Sequence, residues 1–489
     1  MNRRQFLKAG SLATAAAAIT PTWLHAADKN SSKMVGIQVG AVSFVDEGTQ
    51  RVLDILQERG GVNTLFLAAF TYGRGIAGRQ IPGQPLPDHG KQEYDVNFHG
   101  GNFATPHAKF YARTKLKAVK APDHGNYDLL ADVLPKAQSR GMKVYAWNED
   151  VFGKDVPGAE TVREIDLRGR PAGTLCPLNP DYREFLIALT NDFCQSYELD
   201  GVMWGSERQG PLLNAIGAKH GGGDPARVTC FCEFHQKAGK ERGIDMARAK
   251  EGFEKLAAFM RAARKGERPN DGYFVQFWRL LLEYPELIAW EKLWTDGKHA
   301  IYSDIYKAAK KSRPGAQVGF HIWHNNSFSP FFRAEQDYAA FAKVADFLKI
   351  VVYNNCGGPR YADYIEQMAS GVLRDLPRDE VLRINNEWLH YTNEARLDKL
   401  PTAGLSADYV FSETKRALDG VAGTSCKIYP GIDIDVPTEP GQKKTSPDDV
   451  YASTSAAFHA GAPGIIFSRK YSEMKLANLS AGGKAAREA

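Results

Sequence analysis

The chain has 489 residues, of which 43% are hydrophobic and 24% are charged, and its formal net charge is +5. This composition is typical of a globular protein with a large core. Lysine and arginine are spread along the chain rather than concentrated in one stretch, so nucleic acid is not an expected partner. After the N-terminal segment, no stretch approaches the roughly 20 apolar residues of a membrane span, so no span is expected in the mature chain.

The first residues have the pattern of an export signal. The segment "NRRQFLKAG" places Arg3 and Arg4 before an apolar, alanine-rich run, which closes on small residues around Ala27. A basic pair, a weakly apolar stretch and a small-residue exit are typical of a twin-arginine signal peptide. We therefore expect residues 1–27 to be removed on export and residues 28–489 to fold into one domain, located in the periplasm or secreted.

Eight short apolar runs alternate with amphipathic helical patterns along the rest of the chain. Strands this apolar predict a parallel sheet covered by helices, and eight strand–helix units close naturally into a (β/α)8 TIM barrel. A doubly wound open sheet is the alternative, but neither of the first two runs leads directly into a glycine-rich phosphate turn. The runs are "VGIQVGAVSF", "VNTLFLAAF", "MKVYAWNED", "LDGVMWGSE", "AQVGFHIWH", "DFLKIVVYN", "CKIYPGIDID" and "PGIIFSRKY".

Two long insertions follow the ends of predicted strands. Residues of about 71–114 are rich in glycine, proline, histidine and aromatic residues, and residues of about 208–316 are mostly helical in pattern. In a TIM barrel the carboxyl ends of the strands form the catalytic face, so these insertions are expected to wall a cleft. The segment "VLRINNEWLHY" resembles a ninth strand, but we predict that it belongs to an excursion between strands six and seven.

Polar and aromatic side chains appear where the apolar strands end. A carboxylate at the exit of a buried strand is costly without a partner or solvent, so such residues indicate a site. Aromatic rings stack on the C–H faces of a sugar, while amides and acids bind its hydroxyl groups, which favours a carbohydrate substrate. The predicted substrate-binding residues are Trp147, Glu149, Trp204, His321, Trp323, His324, Asn325, Tyr353, Asn354, Tyr429, Arg469, Tyr471 and Glu473.

Two carboxyl groups usually cleave a glycosidic bond, one as proton donor and the other as nucleophile or base. We predict that Glu207, which follows strand four, is the proton donor, because the neighbouring Trp204 offers an apolar wall that would raise its pKa. Its expected partner is Asp433 or Asp435, which alternate along "YPGIDID" and so are predicted to point inward together.

Other interpretations of these residues stay open at the level of sequence. Glu207 could pair with Arg208, and each aspartate could cap a turn or pair with a cation of the last strand. A barrel without a competent acid pair would bind sugars without cleaving them, and a lyase or sugar-modifying enzyme would use His321 or His324 as a base. Reserve candidates for the catalytic carboxylate are Glu149, Asp150, Glu387 and Glu473.

Four segments carry a resemblance to a known class of proteins. "LDGVMWGSERQGPL", "CFCEFH", "YPGIDIDVP" and "PGIIFSRKYSEM" resemble exported hypothetical glycosyl hydrolases, distant relatives of α-amylase-type and β-galactosidase-type barrels. The resemblance covers most of the mature chain by order of elements and implies a TIM barrel that hydrolyses glycosidic bonds. Met203 and Gly205 stand where the amylase pattern has an arginine and an aspartate, so an α-amylase mechanism is not expected.

The segment "CFCEFH" also resembles the cysteine cluster that holds a structural zinc in some barrel β-galactosidases. Its donors would be Cys230, Cys232 and His235. Tetrahedral zinc needs four donors, however, the usual C-x₂-C spacing is absent, and no fourth donor is evident nearby in the sequence. We therefore expect two buried thiols and a histidine on a helix surface, with no metal ion and no other cofactor.

Overall fold

The computed structural model describes residues 33–151 and 156–489, so the predicted signal peptide lies outside the described residues. Eight parallel strands form a closed barrel, because β1 (Met34–Val39) pairs with both β2 (Thr64–Thr71) and β8 (Gly464–Ser468). The predicted TIM barrel is confirmed, and all eight predicted runs contribute a strand. The remaining strands, adjacent in chain order, are β3 (Lys143–Glu149), β4 (Gly201–Gly205), β5 (Gln317–Ile322), β6 (Phe347–Val351) and β7 (Lys427–Asp433).

The barrel strands are apolar because both of their faces are covered. Every position of β2, "TLFLAAFT", is buried, as expected for a strand between the barrel interior and the helices. Inside the barrel, large rings alternate with glycines. Phe66 and Tyr145 stack with their centroids 5.0 Å apart, and a Cβ at Gly319 would lie 2.0 Å from the ring of Phe347. The interior near the amino ends of the strands is therefore packed solid.

Helices surround the barrel and fill the excursions between strands. None of the helices in the described ranges is long and apolar enough to cross a membrane. In chain order the α-helices are Ala41–Glu47, Thr49–Gly60, Arg74–Ala77, Leu129–Gln138, Pro180–Ser196, Pro211–Ala215, Glu233–Glu241, Met246–Lys265, Tyr273–Glu283, Glu286–Ser312, Pro330–Ala334, Tyr338–Phe341, Gly357–Ala369, Arg378–Leu389, Leu400–Ala403, Ala407–Gly420, Pro447–His459 and Leu476–Glu488.

Local sequence signals set several helix ends. Ser446 caps the helix Pro447–His459, and with Asp449 it forms a reciprocal capping box. Asn179 accepts a hydrogen bond from a backbone N–H of the helix that begins at Pro180. Gly61 ends the helix Thr49–Gly60 with a φ of +61°, a left-handed conformation that favours glycine.

The first predicted strand differs from the structure, whereas the segment "VLRINNEWLHY" agrees with its prediction. The first predicted strand is too long, because β1 ends at Val39 and Ala41–Glu47 is a helix. The chain turns at Gly40, where a Cβ would lie only 2.9 Å from the backbone of Ala77, so this close contact needs a glycine. As predicted, "VLRINNEWLHY" is not a strand: most of it belongs to the helix Arg378–Leu389, in the excursion between β6 and β7.

The excursions at the carboxyl ends of the strands differ in character. The one after β2 contains little regular structure before the helix Leu129–Gln138, although Gly101–Asn102 pairs with the end of β2. The one after β4 holds five of the helices, in line with its predicted helical pattern. After β3, a two-stranded antiparallel hairpin forms from Arg163–Ile165 and Pro171–Leu175, in a stretch where no strand was predicted.

Candidate active site

A cavity of about 370 Å³ opens at the carboxyl ends of the barrel strands. This is the face on which TIM-barrel enzymes carry their active sites. Its lining combines three carboxylates with cations, amides and aromatic rings. The residues are Gln38, Thr71, Gly73, Ile76, Trp147, Glu149, Asp150, Glu207, His321, Lys349, Tyr353, Arg360 and Arg469.

Glu149 is the last residue of β3 and is held in place by its neighbours. The indole N–H of Trp147 donates a hydrogen bond of 2.5 Å to Glu149 Oε1. A Cβ at Gly205 would lie 3.1 Å from the same oxygen, so the glycine that ends β4 makes room for the carboxyl group. Burial, together with the negative charge of Glu207, raises the pKa of Glu149 to about 8. Glu149 is therefore protonated near neutral pH.

Glu207 follows β4 and stays ionised in the same cavity. Its Oε1 lies 3.0 Å from His321 Nε2, and its side chain is 47% exposed. Burial by itself would raise the pKa of Glu207, but the hydrogen bond from His321 and nearby positive charge, including that of Arg360, lower it to about 2. The expectation that Trp204 keeps Glu207 protonated is wrong, since the Trp204 ring packs against other groups behind the cavity wall, such as Tyr302 at 5.2 Å.

A hydrogen-bonded chain on the cavity floor orients His321. The ammonium of Lys349 donates to Gln38 Oε1 at 2.6 Å and to the Tyr353 hydroxyl at 2.9 Å, and it lies 3.4 Å from His321 Nδ1. Because Nδ1 accepts from the lysine, the hydrogen of the imidazole lies on Nε2 and points at Glu207. Burial lowers the pKa of His321, which favours this neutral form. Lys349 is also buried, and burial lowers its pKa to about 7.

The two predicted aspartates do not share an inward orientation. Asp433 is fully buried and accepts hydrogen bonds from the backbone N–H groups of Cys356 and Val436, at 2.9 and 3.1 Å. Asp435 has a φ of +57°, which turns its side chain toward the N–H of Lys475 at 2.7 Å. Neither aspartate is among the residues that line the cavity with Glu207. Their geometry is that of turn-stabilising carboxylates.

The alternative ion pair of Glu207 with Arg208 is not formed. Arg208 is buried and instead pairs with Asp150 at 3.2 Å and with Glu164 at 2.7 Å. Asp150, the reserve candidate next to Glu149, thus serves a buried ion pair. Of the other reserve carboxylates, Glu387 lies on the exposed face of the helix Arg378–Leu389 and Glu473 binds Arg469.

The structure brings six of the predicted substrate-binding and catalytic residues together and places the others around them. Trp147, Glu149, Glu207, His321, Tyr353 and Arg469 line the cavity. The remaining aromatic residues pack in the surrounding core: Tyr429 lies near Phe347 on the amino side of the barrel, and Tyr471 stacks on His89. The predicted residues outside the lining are Trp204, Trp323, His324, Asn325, Asn354, Tyr429, Asp433, Asp435, Tyr471 and Glu473.

Six lining residues were not predicted, namely Gln38, Thr71, Gly73, Ile76, Lys349 and Arg360, and two of them carry a signal in the sequence. Gln38 interrupts the apolar run "VGIQVGAV", and Lys349 interrupts "DFLKIVVY". A polar or charged residue inside a fully buried strand needs a polar partner, so such interruptions mark the cavity floor. Arg360 has no comparable signal, because it lies in the first turn of a helix, where an arginine is unremarkable in sequence.

A second cluster of chemically active side chains lies away from the cavity. Cys176, next to the hairpin, joins Cys230, Cys232 and His235, and their donor atoms all lie within 4.8 Å of one another. The sulfur of Cys176 lies 3.2 Å from His235 Nδ1 and 3.4 Å from the sulfur of Cys232. The expected surface position of His235 is wrong: its side chain is fully buried, because this face of the helix Glu233–Glu241 packs toward Trp290.

The four donors fit a tetrahedral zinc ion. Zinc–sulfur bonds of about 2.3 Å and zinc–nitrogen bonds of about 2.0 Å place neighbouring donors about 3.5–3.8 Å apart. The distances from the Cys176 sulfur and the 3.7 Å between the Cys232 sulfur and His235 Nδ1 are close to this range. All six cysteines of the chain are free thiols, so no disulfide competes for these sulfurs. Cys176, 54 residues before Cys230, supplies the donor that the local sequence lacks.

Comparisons with known proteins agree on the fold. No protein-family model and no curated protein matches the chain. Among solved structures, it is similar to a β-galactosidase from the haloarchaeon Halorubrum lacusprofundi, with 12% identity and a TM-score of 0.51 over 93% of this chain and 58% of that one. The PgaB (BpsB) glycoside hydrolase domain from Bordetella bronchiseptica has 12% identity and a TM-score of 0.46 over 94% and 97%.

An α-L-fucosidase from Paenibacillus thiaminolyticus gives 13% identity and a TM-score of 0.48 over 93% of this chain, which spans about half (49%) of that enzyme. These structural neighbours are glycoside hydrolases with a TIM-barrel fold. At such low identity the likeness concerns the fold. The protein is thus a closed (β/α)8 barrel whose carboxyl face holds a cavity with two glutamates, one with a raised pKa and one with a lowered pKa.

Proposed function

We propose that the protein hydrolyses O-glycosidic bonds, with Glu149 as the proton donor and Glu207 as the ionised carboxylate. The observation that carries this proposal is the pair itself: two glutamates from neighbouring strand ends line one cavity and are held in opposite protonation states. A glycosidase needs this division, because one carboxyl must deliver a proton while the other attacks or activates water. Carbohydrate is accordingly the proposed substrate.

Each residue of the cavity would have a definite part in this reaction. Glu149 gives its proton to the glycosidic oxygen as the bond to the anomeric carbon breaks, so the leaving sugar departs as a neutral alcohol. Glu207 attacks the anomeric carbon or removes a proton from the attacking water. His321 holds the Glu207 carboxylate through the Nε2 hydrogen, and Lys349 fixes the imidazole from its other side.

The same observations favour hydrolysis over the two alternatives. A barrel that only bound sugar would have no need to keep Glu149 protonated next to an ionised Glu207, because the buried proton serves transfer rather than recognition. A lyase with His321 as its base would need a free imidazole nitrogen, but both nitrogens of His321 face partners within the cavity wall. His324, the other candidate base, is fully buried and does not line the cavity.

The test is a screen of oligosaccharides and aryl glycosides for released sugar. For a substrate found in this way, Glu207→Gln is expected to reduce kcat by at least about 10³-fold for every leaving group. Glu149→Gln should reduce cleavage of natural oligosaccharides by a similar factor but spare 4-nitrophenyl glycosides, since 4-nitrophenolate needs little protonation to leave.

Glu387→Gln is the matched control, because this exposed glutamate lies on a distant helix face and should keep wild-type turnover. Wild-type turnover of an oligosaccharide by Glu149→Gln would remove Glu149 from the reaction. Loss of activity in Asp433→Asn while Glu207→Gln remained active would return the role to the aspartate originally predicted.

We also propose that Cys176, Cys230, Cys232 and His235 bind one structural zinc ion. The fit of four buried donors to a tetrahedron supports this, and it replaces the expectation of no metal because Cys176 supplies the fourth donor. Bound zinc would join the hairpin to the helix Glu233–Glu241 and so connect the excursions that follow β3 and β4. The cluster lies apart from the cavity lining, so the proposed zinc ion would stabilise the fold and take no part in the reaction.

Metal analysis of purified protein checks this second proposal. Wild type is expected to contain one zinc per chain, and Cys176→Ser should lose it and unfold at a lower temperature. Cys194→Ser is the control, since Cys194 is equally buried but is not part of the cluster. A chelator should lower the unfolding temperature of wild type and leave that of Cys176→Ser unchanged. Zinc-free wild type of undiminished stability would contradict the proposal.

Finally, we propose that the enzyme works after export through the twin-arginine pathway. The support is the sequence of the first 27 residues. Replacing Arg3 and Arg4 with lysine should leave the protein in the cytoplasm in a cell-fractionation experiment. Unchanged export of that variant would exclude this route.

A further inference from the structure

One of the two arginines that line the cavity has no carboxylate partner. Arg469 is bound by Glu473, with 3.1 Å between Arg469 Nε and Glu473 Oε2. Arg360 is partly buried in the same wall, and within residues 33–151 and 156–489 no carboxylate forms an ion pair with it. A guanidinium at the edge of a cavity, with N–H groups left free, is available to a bound anion.

Arg360 is nevertheless held in position. Its Nη1 donates a hydrogen bond of 3.1 Å to Nδ1 of His324, whose Nε2 lies 3.1 Å from the Tyr409 hydroxyl. Burial lowers the pKa of His324, so the ring is neutral and its Nδ1 can accept from the guanidinium. This contact orients Arg360 without neutralising its charge. His324, which the sequence predicts to bind substrate, is thereby a positioning residue for Arg360.

The backbone adds positive potential at the same place. Arg360 lies in the first turn of the helix Gly357–Ala369, and that turn contains no acidic residue. The amino end of a helix carries a partial positive charge, so a cation there is unfavourable unless an anion comes to it. A second basic side chain, Lys349, whose pKa burial lowers to about 7, lies on the floor of the cavity. This arrangement favours a negatively charged ligand.

The carboxylates of the cavity do not form an ion pair with Arg360. Asp150 is engaged by Arg208, and Glu149 carries no charge when it acts as the proton donor. Glu207 is the remaining charged carboxylate of the lining; it is stabilised by the positive charge of Arg360, but its direct contact is with His321. Within the described residues no carboxylate contacts Arg360 directly, so its guanidinium can bind a carboxylate of the substrate.

We propose that the sugar unit bound in this cavity carries a carboxylate, as a uronic acid does, and that Arg360 binds it. The inference rests on the proposed glycoside hydrolysis and adds the substrate class. A planar guanidinium matches a carboxylate with two parallel N–H···O bonds, which is the reason to choose a carboxylate over another anion. A sulfated sugar presents the same charge in a different geometry and is a separate arm of the test.

The first measurement is turnover of 4-nitrophenyl glycosides, with both anomers of glucuronic and galacturonic acid compared with glucose and galactose. Wild type should show a kcat/KM about 10- to 100-fold higher for uronides, which corresponds to one charge-assisted hydrogen-bonded pair. Arg360→Gln should remove this preference, so that kcat/KM falls about 10- to 100-fold more for uronides than for neutral glycosides. Arg360→Lys should restore part of it, because the charge returns without the planar fork.

Arg383→Gln, on an exposed helix face, is the matched control and should behave as wild type. Higher kcat/KM for neutral glycosides than for uronides would overturn the substrate class while leaving glycoside hydrolysis intact. A higher kcat/KM for sugar 6-sulfates than for uronides would overturn the choice of carboxylate.

The second measurement is binding, which stays informative if no aryl glycoside is cleaved. Glucuronate and galacturonate should bind wild type in calorimetry at least about 10-fold more tightly than glucose and galactose, and glucose 6-sulfate should fall between them. Arg360→Gln should abolish the difference, and its unfolding temperature without ligand should not fall. Equal binding of charged and neutral sugars, or a preference that persists in Arg360→Gln, would overturn the proposal.

Discussion

The surroundings of each cavity glutamate account for its protonation state. Glu149 is buried beside a negative charge, whereas Glu207 accepts a hydrogen bond from His321 and faces cations. The pKa of Glu149 is raised to about 8, so the proton donor is lost as the pH rises through that value. We expect kcat/KM for a natural oligosaccharide to be level between about pH 5 and pH 7 and to fall tenfold per unit well above pH 8. A level profile up to pH 10 would contradict Glu149 as the donor.

The coupling between the two glutamates gives a second prediction. The charge of Glu207 raises the pKa of Glu149, so Glu207→Gln should lower it. The carboxyl carbon of Glu149, followed by ¹³C NMR against pH, should titrate at least about one unit lower in this variant than in wild type. Glu387→Gln, whose glutamate lies on a distant surface, should leave the titration unchanged. If the pKa of Glu149 were the same in Glu207→Gln as in wild type, the two groups would not be electrostatically coupled.

Glycines inside the barrel strands are needed to accommodate large rings on neighbouring strands. A Cβ at Gly319 of β5 would lie 2.0 Å from the Phe347 ring of β6, which is itself packed against Phe66 and Tyr145. Gly319→Ala should therefore destabilise the fold by about 1–3 kcal/mol or more, measured by urea unfolding. At Gly315, just before β5, an added Cβ meets nothing within 4 Å, so Gly315→Ala should change stability by less than about 1 kcal/mol. Equal effects of the two substitutions would show that the interior tolerates an added methyl group.

The elements of this fold were largely predictable, whereas the contacts between them were not. The eight strands are short apolar runs with both faces covered, a pattern that depends on each segment alone. Asp435 illustrates the limit, since its orientation depends on a φ of +57° that the alternating pattern "YPGIDID" does not reveal. The pKa of Glu207 depends on His321, 114 residues further along the chain. The metal cluster similarly depends on Cys176, which the hairpin after β3 brings to Cys230.

The closure of the barrel makes its first and last strands interior strands. β1 pairs with β2 on one side and with β8 on the other, so neither end of the strand order has an exposed edge. Closure also explains how residues from both ends of the chain, Gln38 and Arg469, line one cavity. The carboxyl face is thus a closed ring of strand ends, and this ring sets where the glutamates and their partners lie.

Hydrogen exchange tests whether this ring behaves as one unit. In an open sheet the edge strands exchange fastest, but in a closed barrel the amides of β1 and β8 should exchange as slowly as those of β4 and β5. The hairpin Arg163–Ile165 with Pro171–Leu175 lies outside the barrel and has few hydrogen bonds beyond its own pairing, namely those with residues 229–231, so it should exchange faster than all of them. Gly464→Ala provides the decisive variant, because its added Cβ would lie 2.5 Å from the carbonyl oxygen of Met34 and force β8 away from β1. If the barrel closes cooperatively, this change should speed exchange in all eight strands. Faster exchange confined to β1 and β8 would mean that the rest of the barrel is stable without closure.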